Sequence, residues 1–374
     1  FRGRGVDVFF GVGGFTGPDT IEVSGQTLRF RRAVIATGSR PATPPVPGLN
    51  EAGFLTNETV FSLTELPARL AVIGAGPIGC ELAQAFARFG SKVSLLGNHA
   101  RILPKEDPDA AELVARSLAR DGVELVLRCE VQRVEARGSD KVLHLKCGDE
   151  ARQIVADAIL VGVGRVPNGD GLNLEAAGVE YDPKKGVTVD DRLRTTNPRV
   201  YAAGDVGSKY KFTHAADALA RVVVRNALFP FGRAKASALT IPWCTYTDPE
   251  LAHVGLYEHE AKERGIAVRA FVQELRDVDR AVVDGETEGF VRVLAPEGGD
   301  RILGATVVSA HAGEMISEVT LAMSAKLGLK AVAEVIHPYP TQAEGVKKVA
   351  DAFNRTRLTP RVRWLLEKWF GWTR

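Results

Sequence analysis

The stretch Arg69-Leu70-Ala71-Val72-Ile73-Gly74-Ala75-Gly76-Pro77-Ile78-Gly79-Cys80-Glu81-Leu82 decides the fold class. It starts with a short apolar run of the length and β-branched content of a buried strand. Three glycines follow as Gly74-x-Gly76-x-x-Gly79, and Ile78, Leu82, Ala85, Phe86 and Phe89 then recur at helical spacing until Gly90. Residues 93–96 form a second apolar run, so strand, glycine turn, helix and strand make one βαβ unit. In that context each glycine has a task. Gly74 permits the tight turn, Gly76 lets backbone approach a pyrophosphate, and Gly79 lets the helix lie close to the strand. The phosphates would meet the positive N-terminus of the helix. Glycine spacing alone is weak evidence for a dinucleotide site, but the flanking strand and helix make it specific.

Downstream, residues 123–127, 131–134 and 142–145 read as a β-meander leading into the buried run 158–163 and then Gly164-Arg165-Val166-Pro167. The first forty residues repeat the end of that pattern. Residues 6–10, 20–23 and 27–31 read as a meander with a turn at Ser24-Gly25, followed by Ala33-Val34-Ile35-Ala36-Thr37-Gly38-Ser39-Arg40-Pro41. A complete βαβ unit precedes the second copy and none precedes the first. The expectation is a further glycine turn about 90 residues before Gly38, upstream of Phe1. Past residue 195, Val200-Tyr201-Ala202-Ala203-Gly204-Asp205 reads as a strand ending on glycine and aspartate, with a helical pattern over 215–228. Pro230, Gly232 and Pro242 mark a linker. Beyond it the pattern turns to α+β, with strands near 267–275, 289–294 and 302–308 and helices near 312–327 and 329–335. The expected fold class is α/β: two doubly wound, Rossmann-like dinucleotide-binding domains, the first incomplete at its N-terminus, plus a C-terminal α+β domain.

Composition narrows the function classes. With 48 Lys and Arg against 46 Asp and Glu, the net charge of +2 gives no reason to expect a nucleic-acid partner. No apolar stretch approaches the roughly 20 residues of a membrane-spanning helix. Cys80, Cys129, Cys147 and Cys244 are widely spaced and form no C-x-x-C pair. That argues against a disulfide scaffold or metal site and suits a reducing cytoplasm.

The end of the second strand bears on the choice of nicotinamide nucleotide. NAD-selective sites commonly place Asp or Glu there to bind the adenosine ribose. This chain has Leu96-Gly97-Asn98-His99, with Arg101 and Lys105 beyond. Nothing acidic repels a 2′-phosphate, and His99 and Arg101 could attract one. NADPH is the expected nucleotide, with NADH the alternative. A Glu installed at Gly97 should shift the preference to NADH.

Ala36-Thr37-Gly38, the stretch from Gly74 to Glu81, Gly164-Arg165-x-Pro167-Asn168 and Ala202-Ala203-Gly204-Asp205 occur in that order. Together they resemble the landmarks of the pyridine nucleotide–disulfide oxidoreductases, the family of glutathione reductase, dihydrolipoamide dehydrogenase and mercuric reductase. Tyr246-Thr247-Asp248-Pro249-Glu250 and Val254-Gly255-Leu256 resemble the entry to that family's dimerisation domain. The resemblance implies an FAD domain over 1–48 and 162–238, an NAD(P) domain over 49–161, a dimerisation domain over 239–358 and a tail over 359–374. It implies a homodimer that passes hydride from NAD(P)H to flavin and on to a disulfide or other small acceptor. Thr37, Gly38, Gly164, Gly204, Asp205, His214 and Ala215 are assigned by it to FAD, and Ile78 and Glu81, with the three glycines, to the nicotinamide nucleotide. Asp205 would accept a hydrogen bond from the flavin's ribityl chain. The helix beginning near His214-Ala215 would direct its N-terminus at the pyrimidine edge.

Two departures qualify the resemblance. In the glutathione reductase branch a histidine base precedes a glutamate by five residues. Here the residue five before Glu344 is Tyr339, while His337 stands seven before it. Pro338-Tyr339-Pro340-Thr341-Gln342-Ala343-Glu344-Gly345 is similar to the mercuric reductase version, so Tyr339, Glu344 and His337 are the candidate catalytic side chains. Tyrosine is a poor base at neutral pH but a competent hydrogen-bond donor. Mercuric reductases that handle the ion also carry a vicinal cysteine pair near the C-terminus. No cysteine follows Cys244 here, so mercuric ion is not the expected substrate. Two other readings stay open: a disulfide-independent flavin reductase or transhydrogenase, and a non-catalytic dinucleotide-binding or dimerisation fragment.

Val362, Leu365, Leu366, Trp369 and Phe370 share one helical face, rimmed by Arg361, Arg363, Lys368 and Arg374. This basic amphipathic helix would either pack on the dimerisation domain or lie on an anionic membrane surface.

Overall fold

The computed structural model describes residues 1–229 and 231–373; Pro230 in the linker and Arg374 in the tail's basic rim lie outside the described residues. Contacts divide the chain into two compact units, residues 1–42 with 164–239, and residues 43–163 with the chain from Thr240 onward.

In the first unit the meander forms, displaced from its expected start. Its strands are Gly13–Gly17, Thr20–Val23 and Gln26–Arg29. Residues 6–10 form no strand, because the side chain that enters the core is Phe15, packed edge-on to Phe30, while Phe9 and Phe10 stay exposed. Ser24 and Gly25 both have positive φ (51° and 77°), the conformation of a type I′ hairpin turn. Two strand pairings then bring distant segments together. Ala33–Ile35 runs parallel to Val200–Ala202, and Ser39–Pro41 runs antiparallel to Arg165–Pro167. Phe15, Ile35, Leu174, Val187, Val200 and Val206 close the core around them. The helix Thr213–Leu228 follows.

The second unit begins on a parallel sheet in the order Ala158–Val161, Arg69–Ile73, Lys92–Gly97, Glu124–Leu127. The helix Pro77–Phe89 links the first βαβ unit and ends at Gly90, whose φ of 108° suits a glycine stop. Residues 123–127, expected in the meander, instead form the edge of this parallel sheet. A helix absent from the sequence reading, Pro108–Arg120, supplies the crossover and buries Ala110, Ala111, Val114 and Leu118. The meander consists of Cys129–Arg137, Asp140–Cys147 and Glu150–Ala156. Its last strand buries only Ile154 and Ala156, which is too little apolar signal for periodicity to find.

The sequence argument against disulfides is overturned here for one pair of cysteines. Cys129 and Cys147 form a disulfide across the hairpin, at opposite ends of two strands whose register sets them face to face, Cα to Cα 4.1 Å. Their separation of 18 residues looks wide only along the chain. The cysteine argument for a reducing compartment falls with it.

From Trp243 a five-stranded antiparallel sheet forms in the order Pro242–Thr245, Glu250–Gly255, Gly304–Ser309, Phe290–Pro296, Val268–Glu274. The period of two along its strands divides the side chains. Ala252, Val254, Val291, Val293, Ala305 and Val307 pack with residues of the helices Ala312–Ser324 and Glu344–Thr356. Leu251, Phe290 and Val308 share a core with Leu70, Val72, Leu95 and Val114 of the parallel-sheet region. A polar seam completes that junction. Gln84 donates to Asp248 O (2.9 Å) and accepts from Asp248 N (2.8 Å), Glu106 accepts from Trp243 Nε1 (3.0 Å) and from the Tyr257 hydroxyl, and Arg292 donates to Asp107 (3.0 Å) and Asp109. Burial pushes the Glu106 carboxyl up and drives the pKa of His253, stacked on Tyr257, down to about 3.

The tail forms the expected helix, Pro360–Trp372, started by proline in its first turn and by Thr359, whose hydroxyl accepts from Val362 N. None of its residues is buried, so the apolar stripe does not pack on the dimerisation domain of its own chain. Among the described residues no helix is long and apolar enough to cross a membrane.

Candidate functional site

At the glycine turn the backbone geometry fits the task inferred for each residue. Gly74 has φ 114°, and a Cβ there would lie 2.5 Å from Gly162 O. At Gly79 a Cβ would fall 1.8 Å from Gly74 O, so helix and turn touch through bare backbone. Around Gly76 a Cβ would meet nothing within 4 Å, which leaves an open approach. The first N–H groups of a helix have no intrahelical acceptor, and those of Ile78 and Gly79 fall in that turn. These residues fit a pyrophosphate.

Side chains near the turn are engaged differently from one another. Glu81 accepts from Tyr246 N (2.8 Å), and burial raises its pKa. Cys80 is fully buried with its thiol pushed up to about 12, and burial raises the Cys244 thiol as well. Neither has the depressed pKa of a nucleophilic cysteine. Asn98 and His99 are exposed, whereas Gly97 is buried, and a Cβ on it would lie 2.9 Å from Ala75 Cβ. The expectation that Glu at Gly97 simply changes the nucleotide preference is therefore corrected: the turn has no room for the side chain. Arg101 Nη2 donates to Pro104 O (2.9 Å) and Glu106 O (3.3 Å), tying its own loop. Among the described residues no group of three or more His, Cys, Asp or Glu is arranged to hold a metal ion.

In the other unit, the strand pairings gather the second set. Thr37 Oγ1 donates to Asn168 O (2.6 Å), and Asn168 returns bonds to Thr37 O and Gly38 O. Ser39 is the hub between Arg165 and Asp205. Its hydroxyl accepts from Arg165 Nε (2.6 Å) and donates to Asp205 Oδ2 (2.5 Å). Gly38, Gly164 and Gly204 all have positive φ, which their side-chain-free backbone accommodates. Ala215 is buried in the first turn of Thr213–Leu228, and His214 beside it is exposed and stacked on Phe212. That helix start has no side-chain cap bond, so its N–H groups fit an acceptor edge of a ligand. Ser39 and Arg165, which hold Asp205, were not singled out from the sequence. Their signal was present as the Gly-Ser-Arg-Pro and Gly-Arg-Val-Pro repeat.

Each member of the C-terminal trio has its own surroundings. His337 is held by Glu318 (2.9 and 3.0 Å), and the Tyr339 hydroxyl donates to Asp279 (2.8 Å), which raises its pKa, and the charge of Glu344 adds to that rise. Glu344 opens the helix Glu344–Thr356, with Oε1 4.0 Å from Lys348 and Oε2 buried without a partner. No hydrogen bond among the described residues joins the three.

Comparison with known proteins identifies the family of the chain. Residues 1–220 match the model of the pyridine nucleotide-disulphide oxidoreductases, and residues 241–350 that of their dimerisation domain. The chain is 37% identical over 94% of its length to a mercuric reductase of Staphylococcus aureus, and 36% identical over 89% to a dihydrolipoyl dehydrogenase of Mycoplasma pneumoniae. It spans 64% of that mercuric reductase and 72% of that dehydrogenase. It spans 56% of the mercuric reductase of Bacillus cereus. Its fold superposes on the HOCl-induced flavoprotein disulfide reductase RclA of Escherichia coli with a TM-score of 0.85 and 29% identity, covering 92% of this chain and 79% of that one. Ordered landmarks, backbone geometry and these matches agree, and the chain belongs to the pyridine nucleotide-disulfide oxidoreductase family.

Proposed function

We propose that the protein is an FAD-containing NADPH oxidoreductase, working as a homodimer in the cytoplasm and passing reducing equivalents to a disulfide or another small acceptor. The observation that carries the reading is the glycine turn at 74–79, with its open backbone at Gly76 and its strand and helix on either side. FAD would supply two-electron transfer between the nicotinamide and the acceptor. For it, the chain offers Thr37, Gly38, Gly164, Gly204 and Asp205 around the Ser39–Arg165 hub, and the N-terminus of the helix at His214 and Ala215. Tyr339 is proposed as a hydrogen-bond donor to the acceptor once its hydroxyl turns from Asp279, with His337 and Glu344 as neighbours that set its surroundings. NADPH is preferred because Asn98 and His99 present no carboxylate to a 2′-phosphate. In stopped-flow reduction of the purified flavoprotein, NADPH is expected to bleach the flavin at least tenfold more efficiently than NADH. Equal efficiencies would remove the NADP assignment, and a protein with its FAD domain complete that holds no flavin would reject the oxidoreductase reading.

The C-terminal helix supports a second proposal, contact with an anionic membrane surface. Trp364, Leu365, Trp369, Phe370 and Trp372 are all exposed, and Arg361, Arg363 and Lys368 outnumber the single acid Glu367. Tryptophan with lysine or arginine on one short helix suits the boundary between acyl chains and negative headgroups. Co-sedimentation with phosphatidylserine-containing vesicles is expected for the chain and lost for a version ending at Pro360. Equal binding by both would reject the membrane contact. Loss of dimer on the same truncation would reassign the stripe to the partner subunit.

A further inference from the structure

We propose that Arg128, rather than Arg101, is the guanidinium that binds the adenosine 2′-phosphate of the nicotinamide nucleotide, acting with His99. The inference rests on the NADP reading above and deepens it. In parallel α/β sheets ligands lie beyond the carboxyl ends of the strands. The strands Lys92–Gly97 and Glu124–Leu127 are adjacent and end in register, Gly97 opposite Leu127. Arg128 is the first residue past that edge, and its N–H donates to His99 O at 2.9 Å, so the two residues are fixed side by side. The register puts a histidine and an arginine at the point where the adenosine ribose of a bound dinucleotide is read.

Charge accounting separates Arg128 from the other cations. Arg101 spends Nη2 on the carbonyls of Pro104 and Glu106. Arg128 is exposed and has no ion-pair partner among the described residues. The backbone is also informative. Arg128 has φ 54°, a left-handed conformation uncommon for a long side chain and one that persists where surrounding structure imposes it. Here the bond to His99 holds one side, and the disulfide of Cys129 to Cys147 anchors the next residue. The backbone is thus fixed at this point, and the planar guanidinium it carries matches a phosphate's paired oxygens better than a lysine would.

The test is calorimetric binding of 2′,5′-ADP and 5′-AMP to the full chain, in wild type, Arg128→Ala, Arg128→Gly and Arg101→Ala. Glycine suits the left-handed backbone, so Arg128→Gly removes the side chain without strain. Both Arg128 variants are expected to weaken 2′,5′-ADP by about 10- to 100-fold, the range of one charge-assisted contact, and to leave 5′-AMP within about twofold. Arg101→Ala should change the ratio little. Wild-type affinity of the Arg128 variants for 2′,5′-ADP overturns the inference, as does an equal loss for both probes, which would mean a structural role. If the wild-type chain itself does not distinguish the two probes, the NADP reading fails and the assignment of Arg128 falls with it.

Discussion

Gly97→Glu alone is expected to weaken binding of both nicotinamide nucleotides, and Gly97→Glu combined with Ala75→Gly to yield a site that prefers NADH. The first Cβ of any side chain at residue 97 would stand 2.9 Å from Ala75 Cβ and 3.1 Å from Leu127 Cδ2. Leu127 can rotate, but Ala75 is part of the glycine turn and has no rotamer to change. Overpacking of this kind costs ~1–3 kcal/mol, and the strain falls on the loop that approaches the pyrophosphate. Roughly 10- to 100-fold weaker binding of both nucleotides is expected from the single variant. Ala75→Gly deletes the obstructing atom. The carboxylate can then take the place where an acid hydrogen-bonds the ribose hydroxyls and repels a 2′-phosphate. Measured dissociation constants for NADH and NADPH across the four combinations decide the matter. A single Gly97→Glu variant that already prefers NADH with undiminished affinity would show that the turn yields more easily than the geometry allows.

Arg292→Leu is expected to destabilise the protein by about 3–5 kcal/mol, the usual consequence of removing one partner from a buried ion pair. The Arg292 side chain is 11% exposed and that of Asp107 8%, and they meet at 3.0 Å where the antiparallel sheet joins the helix Pro108–Arg120. Burial raises the Asp107 pKa, and Arg292 is the main force opposing that rise. Without the guanidinium the folded-state pKa moves further up. A carboxyl whose folded pKa exceeds its unfolded value loses stability as pH rises through that interval. The variant's deficit should thus be largest at neutral and alkaline pH and shrink as acid protonates Asp107. Adding Asp107→Asn should recover part of the loss at pH 7.5. Urea unfolding of the three proteins across pH tests this; a deficit below 1 kcal/mol, or one that does not vary with pH, would contradict it.

How much of this was legible in the chain differs between the two kinds of site. The turn at Gly74, Gly76 and Gly79 was readable outright, because its function lies in backbone conformation and local sequence sets that conformation. The strand and helix beside it and the turn at Ser24-Gly25 are local in the same sense. The repeat of meander, strand and glycine was readable too, since it lies in the order of elements. What the sequence could not provide was pairing across distance. Cys129 and Cys147 look isolated until hairpin register sets them opposite. Ser39 reaches Asp205 across 166 residues only because two short strands pair, and Arg128 reaches His99 only because residues 124–127 join the parallel sheet instead of the meander. Periodicity reports which face of an element is apolar and is silent on its neighbour. Likewise, residues 337–344 named the candidate groups, but only tertiary packing gave His337 to Glu318 and Tyr339 to Asp279. Local sequence determined the backbone devices of this protein; the partner of each charged side chain was decided by strand register and packing, which are set by contacts between residues far apart in the chain.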